Sequence, residues 1–324
     1  MSTIPVVVRK KWPVAADIVA LELADAHGKP LPPFTPGAHI DVHIPSRQAG
    51  RDFVRQYSLC NAPGETDRYI LGVKREPDSR GGSSAVHAEV HEGQTLQISS
   101  PKNHFALHGD ASRAVLFAAG IGITPLLAMA QALLQERRAF SLHYFTRSPE
   151  HIAFSGQLQA LESMAGALHI HTGASVEGTA QAISTALHGI DPSSHVYACG
   201  PAPFMSMVQT CIDDRLPSTQ FHVEHFSAPA SETTGDAFFE VIAARSGVRC
   251  GVAPGESIVG ALRRHGIEVE VSCEQGVCGT CLTHVLAGQP DHRDVYLSEA
   301  ERAAGKQMTP CCSRSLSAVL ELDI

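Results

Sequence analysis

Short runs of alternating apolar and polar residues crowd the first third of the chain. DIVALELA (17–24), HIDVHI (39–44), RQYSLCNA (55–62), RYILGVKR (68–75) and TLQISS (95–100) each fit a strand with one buried face. Turns rich in Pro and Gly separate them, LPPFTPGAH and NAPGETD among them. That pattern predicts an antiparallel β-barrel or sandwich. Near residues 105–113 the rhythm changes. Apolar strand-like runs now alternate with longer helical ones: RAVLFAAG then TPLLAMAQALLQERR, AFSLHYFT then SGQLQALESM, HVYACG then PFMSMVQTCI, and finally QFHVEHF. Such alternation predicts an α/β fold, a parallel sheet covered on both faces.

The stretch SAPASETTGD is small, polar and almost free of large apolar residues, as a linker is. Beyond it, FFEVIAAR and GVRCGV read as strands and ESIVGALRRHG as a helix ended by Gly266. In the closing AVLELDI, Leu320, Leu322 and Ile324 alternate with Glu321 and Asp323, again a strand. The expected organisation is a β-barrel domain at 1–107, an α/β domain at 108–228, a linker at 229–236 and a compact ferredoxin-like α+β domain at 237–324.

Composition narrows the function. At 324 residues, 44% hydrophobic and 18% charged, the chain suits two or three soluble domains with real cores. A net charge of −8 argues against a nucleic-acid binder. The N-terminal MSTIPVVVRKKWPV lacks the apolar core of a signal peptide, and no run of about 18 apolar residues offers a membrane span. A cytoplasmic location is expected, and the nine cysteines are then thiols or ligands rather than a disulfide framework.

Those cysteines carry the sharpest signal. SCEQGVCGTCLTHV holds Cys273-x4-Cys278-x2-Cys281, and Cys311 with Cys312 follows downstream. Zinc sites favour two short Cys-x2-Cys hairpins, whereas three cysteines on one loop and one far away is the plant-type [2Fe–2S] arrangement. Gly276, Gly279 and Thr280 suit a loop that needs positive φ angles and N–H groups aimed at sulfur. The expected ligands are Cys273, Cys278, Cys281 and Cys311, with Cys312 as the alternative fourth. Zinc, a redox Cys278/Cys281 pair and a chance cysteine-rich loop are the competing readings. Cys60, Cys199, Cys211 and Cys250 lie in apolar runs and read as buried thiols.

A cluster of that kind takes one electron, while a nicotinamide gives two as hydride, so a flavin is needed to divide the pair. In RQYSL, Arg55 offers a fork of donors for phosphate, Tyr57 lies on the same strand face and Ser58 adds a hydroxyl. RGGSSAVHAEV sets glycines and Gly82, Ser83 and Ser84 before a helical run, an anion-binding pattern. LGVKR offers strand backbone to a ring edge. AAGIGITPLL follows a strand and opens a helix, with Thr124 as expected N-cap and Pro125 as first helical residue. Gly120 and Gly122 are present, but Pro125 replaces the third glycine of the dinucleotide fingerprint. YACGP ends another strand, and Arg147 in FTRS ends a third, where it could pair with a phosphate.

RQYSL, GGSS, GIGITPL, YACGP, CEQGVCGTC, PDHRDVYLS and PCCSR occur in this order over essentially the whole chain. Together they resemble the phthalate dioxygenase reductase and vanillate demethylase reductase family. The resemblance implies a ferredoxin-reductase-like flavin barrel, an α/β nucleotide domain and a β-grasp plant-type ferredoxin domain. It implies electron flow from NADH, with NADPH the second choice, through FMN and [2Fe–2S] to a Rieske-type terminal oxygenase docked transiently by a monomer. It implies FMN contacts at Arg55, Tyr57, Ser58, Gly72, Lys74, Gly82, Ser83 and Ser84. It places the nicotinamide near Thr124 and Cys199, shaped by Gly200 and Pro201, with Phe226 near the flavin ring; the turn at Gly120 and Gly122 by itself lets a flat ring or a pyrophosphate approach the backbone. No separate catalytic acid or base is expected. Two departures stand out. HIHTGASVEG (169–178) lacks an aspartate expected of relatives, which bears on NADH against NADPH, and Leu282 is apolar where relatives are often acidic.

A cluster-based redox sensor and a reductase serving a separate ferredoxin are the rival functions. HRDVYLSE echoes a kinase catalytic loop, but Glu299 stands where asparagine is needed. HAEVH has Ala88 where a zinc protease needs Glu, so a solvated helix face is expected. The ferredoxin-like domain carries 12 acidic and 8 basic residues from 236 to 324, a net of −4 suited to a basic partner face.

Overall fold

The computed structural model describes residues 3–46, 50, 52–76, 81–165, 167–212, 216–217, 220–226 and 236–324, without the side chains of 163–165. Most of the expected linker, and Arg80, lie outside the described residues. Two compact units result, Met1–Glu224 and His225–Ile324.

The first unit begins with an antiparallel sheet of β1 (Ile4–Ala15), β2 (Ile18–Asp25), β3 (His39–Ile44), β4 (Phe53–Ser58), β5 (Tyr69–Lys74) and β6 (Thr95–Ile98), ordered β4-β3-β6-β1-β2-β5. Alternate residues Val6, Val8, Leu21, Leu23, Ile40, Val42, Leu71 and Val73 fill one core. Past β4, Leu59 bridges Leu71 of β5 and the Cys60 N–H donates to the Ile70 carbonyl, so the two edge strands meet.

The hydropathy pattern did not reveal β1. It is broken by Lys10, Lys11 and Pro13 and by two register shifts. Lys11 has a task there: its ammonium donates to the carbonyls of Val86, His87 and Val90 at the end of α1 (Gly82–Glu89), at 2.7–2.8 Å. The HAEVH face is not simply solvated either. His87 Nε2 lies 2.9 Å from the Val73 carbonyl, and of these five residues Ala88 and His91 are exposed.

A parallel sheet follows, made of β7 (Ala114–Ala119), β8 (Phe140–Thr146), β9 (Leu168–Thr172), β10 (His195–Cys199) and β11 (Phe221–Glu224), ordered β11-β10-β7-β8-β9. Its helices are α2 (Ile123–Gln135), α3 (Ser155–Ala165), α4 (Val176–Ala186) and α5 (Ala202–Ile212). Leu126, Leu127, Met129 and Leu133 of α2 share one core with Ile18, Ala20, Cys60 and Ile70 of the antiparallel part and with Leu116, Leu142 and Tyr144 of the parallel part. That shared helix is why both sheets belong to one unit. Thr124 is not the N-cap of α2. A 3-10 turn at Gly120–Gly122 leads directly into Ile123, and the Thr124 hydroxyl donates to the Ile121 carbonyl at 3.0 Å.

The second unit orders β13 (Val248–Val252), β12 (Phe239–Ala243), β18 (Val319–Leu322), β14 (Thr283–Ala287) and β16 (Gln307–Met308) in one mixed sheet. Here β12 and β18 run parallel and the other neighbours antiparallel. A short ribbon joins β15 (Pro290–Asp291) to β17 (Arg314–Ser315). α6 (Ile258–Arg264) packs Ile258, Ala261 and Leu262 against Val241, Leu320 and Leu322. Gly266 does end it: at φ 77° it lets its own N–H reach Arg263 and that of Ile267 reach Leu262. α7 (Glu299–Ala304) opens with a capping box between Ser298 and Glu301.

Candidate functional site

The cysteine loop takes its shape from backbone that bends the wrong way for ordinary residues. Glu274, Gly276 and Gly279 all have positive φ, at 50°, 73° and 68°. A Cβ on Gly279 would lie 2.2 Å from the Tyr296 ring, and one on Gly276 would lie 2.5 Å from Cys312 Sγ. Folded tightly in this way, the loop points N–H groups at sulfur: Gln275 donates to Cys273 Sγ at 3.3 Å and Thr280 to Cys278 Sγ at 3.5 Å. Asp294 holds the wall opposite, accepting the N–H groups of Tyr296 and Leu297 at 3.1 and 2.8 Å.

Cys273, Cys278, Cys281 and Cys311 are all buried, and none of the nine cysteines is in a disulfide. Their thiols are in mutual contact. Hydrogen bonds from Cys278 and Cys311 draw Cys273 well below the usual thiol range. Cys278 is pushed up first by Cys273 and then by burial. Cys311 is pushed up by Cys273, Cys281 and Cys312 together with burial. Cys311 has the thiol that meets Cys273 and Cys281 of the loop, whereas Cys312 Sγ packs against Gly276. Cys312 is half-buried and lies 3.3 Å from Thr309 Oγ1. Four thiols this close cannot all ionise without a compensating positive centre. The donor set, its burial and the N–H···S contacts fit a [2Fe–2S] cluster.

In the first unit, residues from distant segments converge at the carboxyl ends of β7 and β10. A Cβ on Gly122 would lie 2.1 Å from the Cys199 carbonyl oxygen, and one on Gly200 would lie 2.8 Å from Ala119 Cβ. The two glycine turns thus pack backbone to backbone. A Cβ on Gly72 would lie 2.8 Å from Thr124 Cγ2, which ties β5 to the same spot. Arg55 and Gly82 also meet: a Cβ there would lie 2.8 Å from Arg55 Nε. Arg55 further donates to the Val54 carbonyl and sits over the Phe53 ring. Ser83 accepts the Glu76 N–H at 3.1 Å, and Lys74 pairs with Glu76. Ser84 and Tyr57 are half-buried, and burial raises the Tyr57 hydroxyl well above its ordinary value despite Arg55. Arg147 and Pro201 are exposed at strand ends, and Phe226 is 38% exposed in the second unit.

Glu224 was not anticipated. It ends β11 beside Cys199 in the parallel register, and Ser58 Oγ donates to its Oε2 at 3.4 Å. Burial pushes its carboxyl up to about 8, with the Ser58 hydrogen bond opposing. Burial and the neighbouring Glu224 raise Cys199 well above the ordinary thiol range. In the set made by Ser58, Glu224 and Cys199, burial thus favours the uncharged forms of both the carboxyl and the thiol. The one available signal was a lone acid in the apolar run QFHVEHF.

Two family models match: a 2Fe-2S iron-sulfur cluster binding domain over residues 241–316 and an oxidoreductase NAD-binding domain over 116–210. The vanillate O-demethylase oxidoreductase of Acinetobacter baylyi is 41% identical over 100% of both chains. The phthalate dioxygenase reductase of Burkholderia cepacia is 37% identical, over 98% of this chain and 96% of that one. The chain belongs to this reductase family. It is an NAD(P)H-dependent iron–sulfur oxidoreductase. A solved phthalate dioxygenase reductase, described as a modular structure for electron transfer from pyridine nucleotides to [2Fe–2S], superposes with a TM-score of 0.79 at 37% identity, over 100% of this chain and 98% of that one. An intact self-sufficient cytochrome P450 monooxygenase also matches, at TM-score 0.81 and 34% identity, and there this chain spans only 41% of the larger one. Among the described residues no helix is long and apolar enough to cross a membrane.

Proposed function

We propose that this chain is the reductase component of a Rieske-type oxygenase or demethylase system, taking electrons from NADH and delivering them singly to the terminal oxygenase. The observation that carries the reading is the pairing of a buried four-sulfur cage in one unit with converging glycine turns in the other. When bound, FMN accepts hydride and releases single electrons, and the [2Fe–2S] cluster carries them one at a time.

The chain's own residues hold, orient and shield. Cys273, Cys278, Cys281 and Cys311 ligate iron. Arg55 with Gly82, Ser83 and Ser84 takes the FMN phosphate, while Tyr57, Ser58, Gly72 and Lys74 line the ring system. Gly120, Gly122, Thr124, Cys199, Gly200 and Pro201 make a flat floor for the nicotinamide, and Arg147 meets the phosphate end. Burial favours the uncharged forms of the Cys199 thiol and the Glu224 carboxyl beside that floor, and catalysis there rests on positioning rather than on a dedicated acid or base.

The same reading makes the antiparallel sheet a closed barrel, supported by the Leu59–Leu71 bridge, and the mixed sheet with α6 a β-grasp fold. Domain limits are 1–107, 108–228 and 237–324, joined by the linker 229–236. The protein acts as a cytoplasmic monomer whose acidic ferredoxin domain docks transiently on a basic face. Relatives named as demethylase oxidoreductases and dioxygenase reductases support that partner. Purified protein should contain flavin, iron and acid-labile sulfide, and should turn over NADH steadily with cytochrome c. A protein that holds the cluster but never turns over NADH is a redox sensor instead, and the proposal fails.

A further inference from the structure

At the opposite end of the parallel sheet, where its strands begin, three side chains unrelated to electron transfer face one another. His108, Asp110 and His195 each offer one ligand atom, and these atoms all lie within 4.8 Å of one another. We propose that they form a binding site for a divalent transition metal of the zinc class. His195 opens β10 and is buried, whereas His108 and Asp110 lie exposed on the segment leading into β7.

The geometry around His195 selects its ligating atom. Its Nδ1 lies 2.9 Å from His222 Nε2, while its Nε2 faces Asp110 Oδ1 at 3.9 Å. One proton joins the two rings. When His195 supplies it, Nε2 carries the free lone pair and points toward the carboxylate. This is the outer-shell hydrogen bond that fixes tautomer and ring orientation at metal-bound histidines. His222 is itself held by stacking on His108 at 4.4 Å and on Tyr197 at 4.7 Å.

The backbone of the exposed arm is pinned as well. The His108 N–H donates to the Tyr197 hydroxyl at 2.9 Å, and Arg138 donates to the His108 carbonyl at 2.6 Å. Ligand atoms of a tetrahedral zinc site stand about 3.4 Å apart, given bonds of about 2.1 Å. Rotation of the two exposed side chains covers the remaining gap.

Two imidazoles and a carboxylate without thiolate suit Zn²⁺, Ni²⁺ or Cu²⁺ and disfavour Mg²⁺ and Ca²⁺, which prefer all-oxygen sets. The fourth position is left to water. β10 runs from His195 to Cys199, so the site lies ~13 Å along the strand from the glycine turns. Its effect is therefore to staple the segment before β7 to the sheet rather than to take part in hydride transfer.

The test is calorimetric titration of chelator-treated, cluster-loaded protein with Zn²⁺, paired with thermal unfolding. One equivalent should bind and raise the melting temperature. His108→Ala and Asp110→Asn, both at exposed positions, should each weaken binding at least about tenfold, and His222→Phe by about tenfold through loss of the outer-shell bond. The visible spectrum of the cluster should be the same in all forms. No saturable binding to the parent protein, or binding indifferent to both His108→Ala and Asp110→Asn, overturns the proposal.

Discussion

On the proposed function, the cysteine loop and the glycine turns solve the same problem, holding a redox group, in opposite ways. The loop uses side chains close in sequence, three sulfurs from residues 273–281 and a fourth from Cys311. The turns use backbone brought together from Gly72, Gly122 and Cys199, with glycine wherever a Cβ would collide. A site built from ligating side chains should fail completely when one is removed. A site built from close backbone approach should fail in proportion to how far the chains are forced apart.

The largest effect is expected at the ligands. Cys273→Ser should cut cytochrome c reduction on the order of a hundredfold while NADH still bleaches the flavin. Equal loss of both activities would mean that the two sites are not separable. Gly279→Ala comes next. It combines a strained φ of 68° with a 2.2 Å approach to the Tyr296 ring. Iron content per chain should fall severalfold, read by metal analysis, with flavin content unchanged.

Gly122→Ala should act in the other unit. Its methyl group meets the Cys199 carbonyl, so the turns must part at a cost of about 1–3 kcal/mol. Pre-steady-state hydride transfer should slow while cluster content stays full. The smallest effect is at Glu224. Its carboxyl titrates near 8 when folded, far above an unfolded glutamate. The folded state then holds a proton that the unfolded state has lost, so stability falls as pH rises from the unfolded value toward about 8. Glu224→Gln should flatten that decline in melting temperature between pH 5 and 8 and change NADH oxidation little at pH 6.

The same contrast explains what could be read from the chain alone. Cysteine spacing is local, so the cage was visible in one loop and one distant residue. Apolar strands such as β3 and β5 were visible too, although the fold buries both of their faces, five of six residues in each. β1 was not, because its lysines serve the end of α1 and its bulges break the alternation. β9 was hidden because LHIHT, at the sheet edge, is largely exposed. β14, THVLA, is likewise more exposed than buried. Thr124 misled because a 3-10 turn supplies the helix start without a side-chain cap. Glu224 acquires its character only from burial beside Cys199 and Ser58, a neighbourhood that three separate segments create.

The most direct measurement is an anaerobic reductive titration with NADH, following flavin absorbance and the paramagnetic signal of the reduced cluster in one sample. The account predicts flavin bleaching together with a signal approaching one spin per chain. Bleaching without any cluster signal, in protein shown to contain iron and sulfide, would contradict it.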